Sequence, residues 1–344
     1  MLEILGMTSP KSAHLRTFLL GSLGAGCAAP LPAERSLWRD DPDAQRYRRF
    51  WPASPHLSEP RDPEEAWFEV GEHQIHLDRL AGPRPVVVVL VHGGGGHGRL
   101  LLPFALPLAR AGYEVVAPDL PHYGRSIAAP GHVTFDDWVE ILSALVDAEH
   151  ARGKKVVLYG LSIGGMTAYH VAAENPRVQA VLATTLLDLR RAEARDAAAA
   201  NWFMARVVSP VGAALPWLFD GVGLEAGSVG RLDAMTPNRD IVRRLREDPR
   251  VGRVVMPAAF FRTLSERNPA IEPEGFERPV LLAHPGADTW TPLDLSRPFF
   301  ERLAGRKRLV VLPGGAHLPF EPDAFDALQR ALLDFLSHIP SAPS

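Results

Sequence analysis

Tyr159 to Gly165 read YGLSIGG, and the GLSIG at Gly160–Gly164 directly follows the apolar run VVLY at Val156–Tyr159. A short apolar run stopped by glycine predicts a buried strand. Ser162 with glycine two positions to either side is the pattern of a nucleophile elbow, a strand-to-helix turn so tight that larger flanking side chains collide. The next stretch, GGMTAYHVAAENP, has helix-forming spacing and ends at Asn175-Pro176. Strand, turn and helix are therefore all predicted around one serine.

Two loops downstream complete a constellation. PVLLAHPGADTWTP places Asp288 just past the apolar run Val280–Ala283, and RLVVLPGGAHLPF places His317 in a glycine-rich loop after Leu309–Leu312. A serine hydroxyl is a poor nucleophile until an imidazole takes its proton, and a carboxylate fixes the tautomer of that imidazole and stabilises its cation. Serine, acid and histidine each lie past the carboxyl end of a different predicted strand. Asp188, after VLATTLL, is a competing acid.

The run VVVVLV at Val86–Val91 opens into HGGGGHG at His92–Gly98. Backbone amides converge on a developing alkoxide only where side chains leave room, so glycine suits an oxyanion hole. The amides of Gly94 and of Ile163, which follows the serine, are the expected donors. The same stretch supports a rival reading. Gly93, Gly95 and Gly98 satisfy GxGxxG after a strand, with Asp119 about 20 residues on, as in an NAD-type dinucleotide fingerprint. That reading leaves Ser162, Asp288 and His317 without roles. No Gly-Lys-Ser/Thr follows for a P-loop, and His92 and His97 lack the companions of a metal motif.

With these motifs in place, the chain resembles the α/β-hydrolase superfamily, and within it the lysophospholipase-like, serine-aminopeptidase-like branch of esterases and lipases. The resemblance runs from about residue 68 to 336 and rests on LVHGGGGHGR, APDLPHYGRS (Ala117–Ser126), LYGLSIGGMTA, HPGADTWTP and PGGAHLPF. In the second, His122-Tyr123-Gly124 stands where the superfamily more often has Gly-His-Gly; the stretch reads as a structural loop near the pocket, with His122 packing the loop or, as is expected of His92, reaching substrate. The resemblance implies an α/β fold with a mostly parallel, doubly wound sheet interrupted by a helical cap insertion. The core would be 67–185 and 276–340, and the cap 186–275. In the cap stretch the strand rhythm stops and aromatic clusters appear, at Trp202–Met204, Trp217–Phe219 and Phe260–Phe261. Trp217 and Phe261 are the expected substrate-lining side chains.

A hairpin, WFEV and HQIHL around Gly71, leads into parallel strands expected at 86–91, 114–117, 156–159, 178–184, 280–284 and 309–312. Residues 31–66 read as an extended arm with Trp38, Phe50 and Trp51 as anchors. Residues 1–30 read as an export signal: Lys11, His14 and Arg16 precede FLLGSLGAGCAA, which resembles a bacterial lipoprotein signal with Cys27 as the lipidated residue. The address thus stands open between the cytoplasm and a lipid-anchored place in the envelope. A single cysteine excludes an internal disulfide. With 344 residues, 46% of them hydrophobic, the chain is long enough for a large core. A net charge of −3 carries no nucleic-acid footprint.

These features predict a serine hydrolase cleaving small-molecule carboxylic esters with an apolar acyl group, needing no cofactor. Ser162 would attack, His317 would act as base and then acid, and Asp288 would orient His317. A serine at the elbow argues against the dehalogenase and epoxide-hydrolase branches, which use aspartate there. Peptidase, amidase, thioesterase and cofactor-free haloperoxidase relatives share the triad, and a non-catalytic binding protein on the same fold is the alternative from another class.

Overall fold

The valine- and leucine-rich runs form the middle of one sheet because they can be buried on both faces. The computed structural model of the protein describes residues 38–58, 61–200 and 214–339; Cys27, the signal-like segment and Trp202–Met204 lie outside them. Eight strands, β1 (Glu64–Val70), β2 (His73–Leu80), β3 (Val86–Val91), β4 (Glu114–Pro118), β5 (Lys155–Gly160), β6 (Val178–Ala183), β9 (Val280–Pro285) and β10 (Lys307–Leu312), lie in the order β1-β2-β4-β3-β5-β6-β9-β10. From β4 to β10 every pairing is parallel; β2 pairs antiparallel with both β1 and β4. The predicted hairpin and six parallel strands are all present.

Period-two alternation splits the core into two layers. In β3, Val87, Val89 and Val91 pack with Trp138, Ile141 and Leu142 of the helix Phe135–Ala151 on one face. Val86, Val88 and Leu90 pack on the other with Phe104 and Leu106 of Leu102–Arg110 and with Phe325 and Leu332 of Pro322–Ser337. The helix Ile163–Glu174 covers the first face beside Phe135–Ala151. The helix Leu293–Arg302 adds Phe299 and Phe300 to the same layer.

The chain runs from β3 outward to β4 and then back across to β5, so the connections leaving β3 and β5 diverge. A crevice forms at such a switch point, at the carboxyl ends of the strands. The HGGGGHG loop leaves β3 there, and Ser162 leaves β5.

Between β6 and β9 the described residues form short helices, among them Ala192–Ala198, Pro216–Phe219, Arg239–Glu247 and Ala258–Glu266. The sequence predicts a helical cap over this interval. The interval also contains a separate two-stranded antiparallel sheet, β7 (Gly223–Glu225) with β8 (Val255–Pro257). Three-residue strands are too short to show an alternating pattern, which is why the sequence hides them.

Residues 38–58 are fastened by apolar and charged contacts together. Trp38 is buried, its ring 5.6 Å from that of Trp51. Asp41, 2% exposed, accepts hydrogen bonds from Arg99 (2.7 Å), just past the glycine loop, and from Arg250 (2.8 Å), between the helix Arg239–Glu247 and β8. The Tyr47 hydroxyl donates to Asp248 at 2.9 Å. One short segment thus joins the loop after β3 to the insertion. Asp41→Ala removes a buried carboxylate that Arg99 and Arg250 share, and is expected to lower the unfolding free energy by about 3 kcal/mol. Urea denaturation checks this; an unchanged midpoint would show that the two arginines find equivalent partners.

Candidate active site

Ser162 lies between the end of β5 and the helix Ile163–Glu174 with φ +55° and ψ −128°. Only His122 shares a positive φ among the described non-glycine residues. Such a conformation is strained and persists only where surroundings enforce it. Here the Ser162 N–H donates to Thr184 Oγ1 at 2.9 Å, and the Thr185 hydroxyl donates to the Ser162 carbonyl at 3.0 Å. The glycines make the turn possible by contact. A Cβ on Gly160 would sit 2.0 Å from the Gly164 carbonyl oxygen, and one on Gly164 would sit 2.2 Å from that of Val91.

Opposite the serine, His317 Nε2 is 2.8 Å from Ser162 Oγ, and its Nδ1 is 2.8 Å from Asp288 Oδ2. Asp288 accepts from the Thr291 hydroxyl as well, and its other oxygen takes the backbone N–H groups of Trp290 and Thr291. Burial alone would raise its pKa; the bonds from His317 and Thr291 outweigh burial and bring it to about 2. With Asp288 anionic, Nδ1 carries the proton and Nε2 accepts from the serine hydroxyl. The Trp290 ring covers His317 at a centroid distance of 4.7 Å. Asp188, the competing acid, is instead gripped by Arg190, which donates Nε and Nη2 to its two oxygens at 2.8 Å each.

A cavity of about 150 Å³ opens on Ser162. Gly94 and Ile163 border it, and neither amide has a hydrogen-bond partner among the described residues. The Gly93 carbonyl is pinned from behind by His92 Nδ1–H (2.8 Å) and Gly96 N–H (3.1 Å). Because the peptide is planar and trans, pinning that carbonyl also fixes the direction of the Gly94 N–H. Two free amides beside a nucleophilic oxygen can stabilise the oxyanion of an acyl-transfer intermediate.

The expected substrate contacts divide. Phe261 lines the cavity, while its neighbour Phe260 is buried against Trp138. His92 does not reach substrate. It is fully buried and receives the Leu120 N–H on Nε2, so both ring nitrogens are used by backbone; burial brings its pKa down to about 4. His122 does not border the cavity either; Tyr123, next in sequence, does. Trp217 is 80% exposed on a four-residue helix away from the cavity. An aromatic cluster reads alike in sequence whether it faces a pocket or solvent. Met166, Leu187, Leu189, Leu264 and Trp290 also line the cavity and were not anticipated. Leu187 and Leu189 follow β6, Trp290 lies in the predicted acid loop and Met166 follows the elbow, while no sequence signal marks Leu264.

The dinucleotide reading fails on Asp119. Its carboxylate is fully buried and accepts Gly98 N–H (2.6 Å), Arg125 N–H (2.8 Å) and His76 Nδ1–H (2.9 Å), leaving nothing for a ribose. Among the described residues, no group of histidine, cysteine and carboxylate side chains is arranged to hold a metal, and no helix is long and apolar enough to cross a membrane.

Sheet order, elbow and loop placement define an α/β-hydrolase. The family model described as "Serine aminopeptidase, S33" matches residues 82–323, and the chain belongs to that family. A pimeloyl-[acyl-carrier protein] methyl ester esterase of Neisseria meningitidis is 28% identical over 260 residues, covering 72% of this chain and 93% of the relative. Phospholipase YtpA of Bacillus subtilis is 26% identical over 236 residues, 65% of this chain and 85% of the relative. The crystal structure of a monoacylglycerol lipase from Paleococcus ferrophilus superposes with a TM-score of 0.63 at 26% identity, covering 77% of this chain and 99% of that one. The protein is accordingly an ester-hydrolysing enzyme acting on a small-molecule ester.

The two candidate acids are separable by substitution. Asp288→Asn is expected to lower ester turnover on the order of 10⁴-fold, because the amide favours the wrong imidazole tautomer. Asp188→Asn, which disturbs only the pairing with Arg190, should cost far less. A larger loss from Asp188→Asn at matched stability would move the acid to position 188.

Proposed function

We propose that the protein hydrolyses carboxylic esters with an apolar acyl group through Ser162, His317 and Asp288. The observation that carries this reading is an apolar cavity opening on a serine whose hydroxyl lies 2.8 Å from an imidazole backed by a buried carboxylate. Ser162 Oγ adds to the ester carbonyl as its proton passes to His317 Nε2. The amides of Gly94 and Ile163 receive the oxyanion. His317 then protonates the departing alkoxide, leaving an acyl-enzyme. A water molecule repeats the addition, its proton passing to His317, and the carboxylic acid leaves as Ser162 recovers its proton. Asp288 stays ionised throughout and holds the imidazole in place. The insertion at 186–275 acts as the cap: Leu187, Leu189, Val229, Phe261 and Leu264 supply much of the cavity wall.

Aminopeptidase activity, which the family description suggests, is the second reading. A free amino terminus is cationic and calls for a carboxylate beside it. Among the described residues the cavity wall has no Asp or Glu and does have Arg195. The wall therefore favours an ester over an N-terminal peptide.

Ser162→Ala is expected to abolish hydrolysis of p-nitrophenyl esters in folded protein, leaving only residual rate from the oxyanion site. Across acyl lengths, kcat/KM should rise from acetyl toward medium chains, by up to a few-fold per added carbon at about 0.8 kcal/mol per buried methylene, and level when the cavity is full. Phe261→Ala should flatten that rise. A steady decline from acetyl onward, or faster cleavage of aminoacyl p-nitroanilides than of any ester, would contradict the proposal.

A further inference from the structure

Arg195 is out of place in this cavity. It lies on the helix Ala192–Ala198, half-buried, and is the only ionised side chain among the described cavity-lining residues, most of which are apolar. Its neighbours show how arginines are normally accommodated here. Arg190 is paired with Asp188 and Glu272, and Arg262 with Asp220 and Glu266. Arg195 has no carboxylate partner among the described residues. Its Nη1 donates to the carbonyls of Leu189 (2.9 Å) and Arg190 (2.7 Å). Those two bonds hold the guanidinium at the wall and use both Nη1 protons. Among the described residues Nε–H and the two Nη2 protons have no acceptor, and the three form a set that matches two oxygens of a carboxylate or phosphate.

A half-buried cation beside apolar surface is unfavourable unless something compensates its charge. Neutral esters would not. We infer that Arg195 is a specificity-determining residue: the preferred substrate is an ester bearing, away from the scissile carbonyl, an anionic carboxylate or phosphate group that binds this guanidinium. The inference rests on the ester-hydrolase reading and narrows its substrate class. The apolar wall takes the hydrocarbon between the two ends, and Arg195 receives the charged one.

Two matched pairs of substrates test this and distinguish the anion's source. One pair is p-nitrophenyl hexanoate and mono-p-nitrophenyl adipate, which differ by a carboxylate at the end of the acyl chain. The other is a monoacylglycerol and the corresponding acylglycerol phosphate, which differ by a phosphate on the alcohol. The readout is the ratio of kcat/KM for the anionic over the neutral member. That ratio is independent of the fraction of enzyme that is folded, so a partly unfolded variant does not mislead. In at least one pair Arg195→Gln should lower the ratio about ten-fold or more, with the change carried mainly by KM. Arg195→Lys should recover part of it, since charge returns without the planar fork. The pair that responds identifies the group. Ratios unchanged by Arg195→Gln in both pairs, in an enzyme that turns over the neutral members, would overturn the inference and leave the ester reading standing. Wild-type protein that cleaves none of the four esters would overturn the ester reading and this inference with it.

Discussion

Everything at this site depends on one close contact, where the start of the helix Ile163–Glu174 presses on the ends of β3 and β5. Gly160, Gly164 and the Val91 carbonyl meet there with no room for a methyl group. That approach forces Ser162 to φ +55° and lifts its side chain out of the sheet. The same approach brings Ile163 beside Gly94, so nucleophile and oxyanion donors arise from a single packing constraint. Backbone held against backbone cannot relax easily, which suits a site that must be organised before substrate arrives.

The loop after β3 needs support of its own, since glycines do not hold a conformation unaided. It is anchored at both ends. His92 fastens the start by taking the Leu120 N–H and giving its own proton to the Gly93 carbonyl. Asp119 fastens the end through the Gly98 N–H. Asp119 in turn contacts His76, which is bonded on both ring nitrogens to carboxylates, Asp119 and Glu65; burial opposes the imidazolium, but the charges of Asp119 and Asp78 raise its pKa above the ordinary value. Glu65 and Asp41 then share Arg99. A continuous polar network thus runs behind the loop from the sheet edge to the segment 38–58. In a low dielectric such a network is stiff when satisfied and costly when broken.

Five of the six parallel strands were legible because burial on both faces demands unbroken apolar runs; β10, at the sheet edge with Val311 half exposed, showed itself by its β-branched residues before a glycine-rich loop. Ser162, Asp288 and His317 could be picked out because each follows one of those strands, and the structure brings the three within hydrogen-bond reach of one another. The wall of the cavity was not legible. Phe260 and Phe261 are adjacent in the sequence, yet one is core and the other lines the pocket, and only the roll of the helix Ala258–Glu266 decides which. His92 was misread for a related reason, and Asp119 lent itself to the rival dinucleotide pattern for the same one. A buried residue that satisfies backbone and one that touches ligand have the same letters, and the hydrogen-bond partners that separate them are distant in sequence. Arg195 drew no notice in an arginine-rich chain; that no carboxylate among the described residues pairs with it is visible only in three dimensions.

The central claim is that Ser162 is a nucleophile activated by His317, and active-site labelling tests it most directly. Native protein treated with a fluorophosphonate should gain the mass of a single adduct, mapping to the peptide that contains Ser162. Folded His317→Ala protein should react orders of magnitude more slowly. Labelling at another residue, or equal labelling with and without His317, would contradict the account.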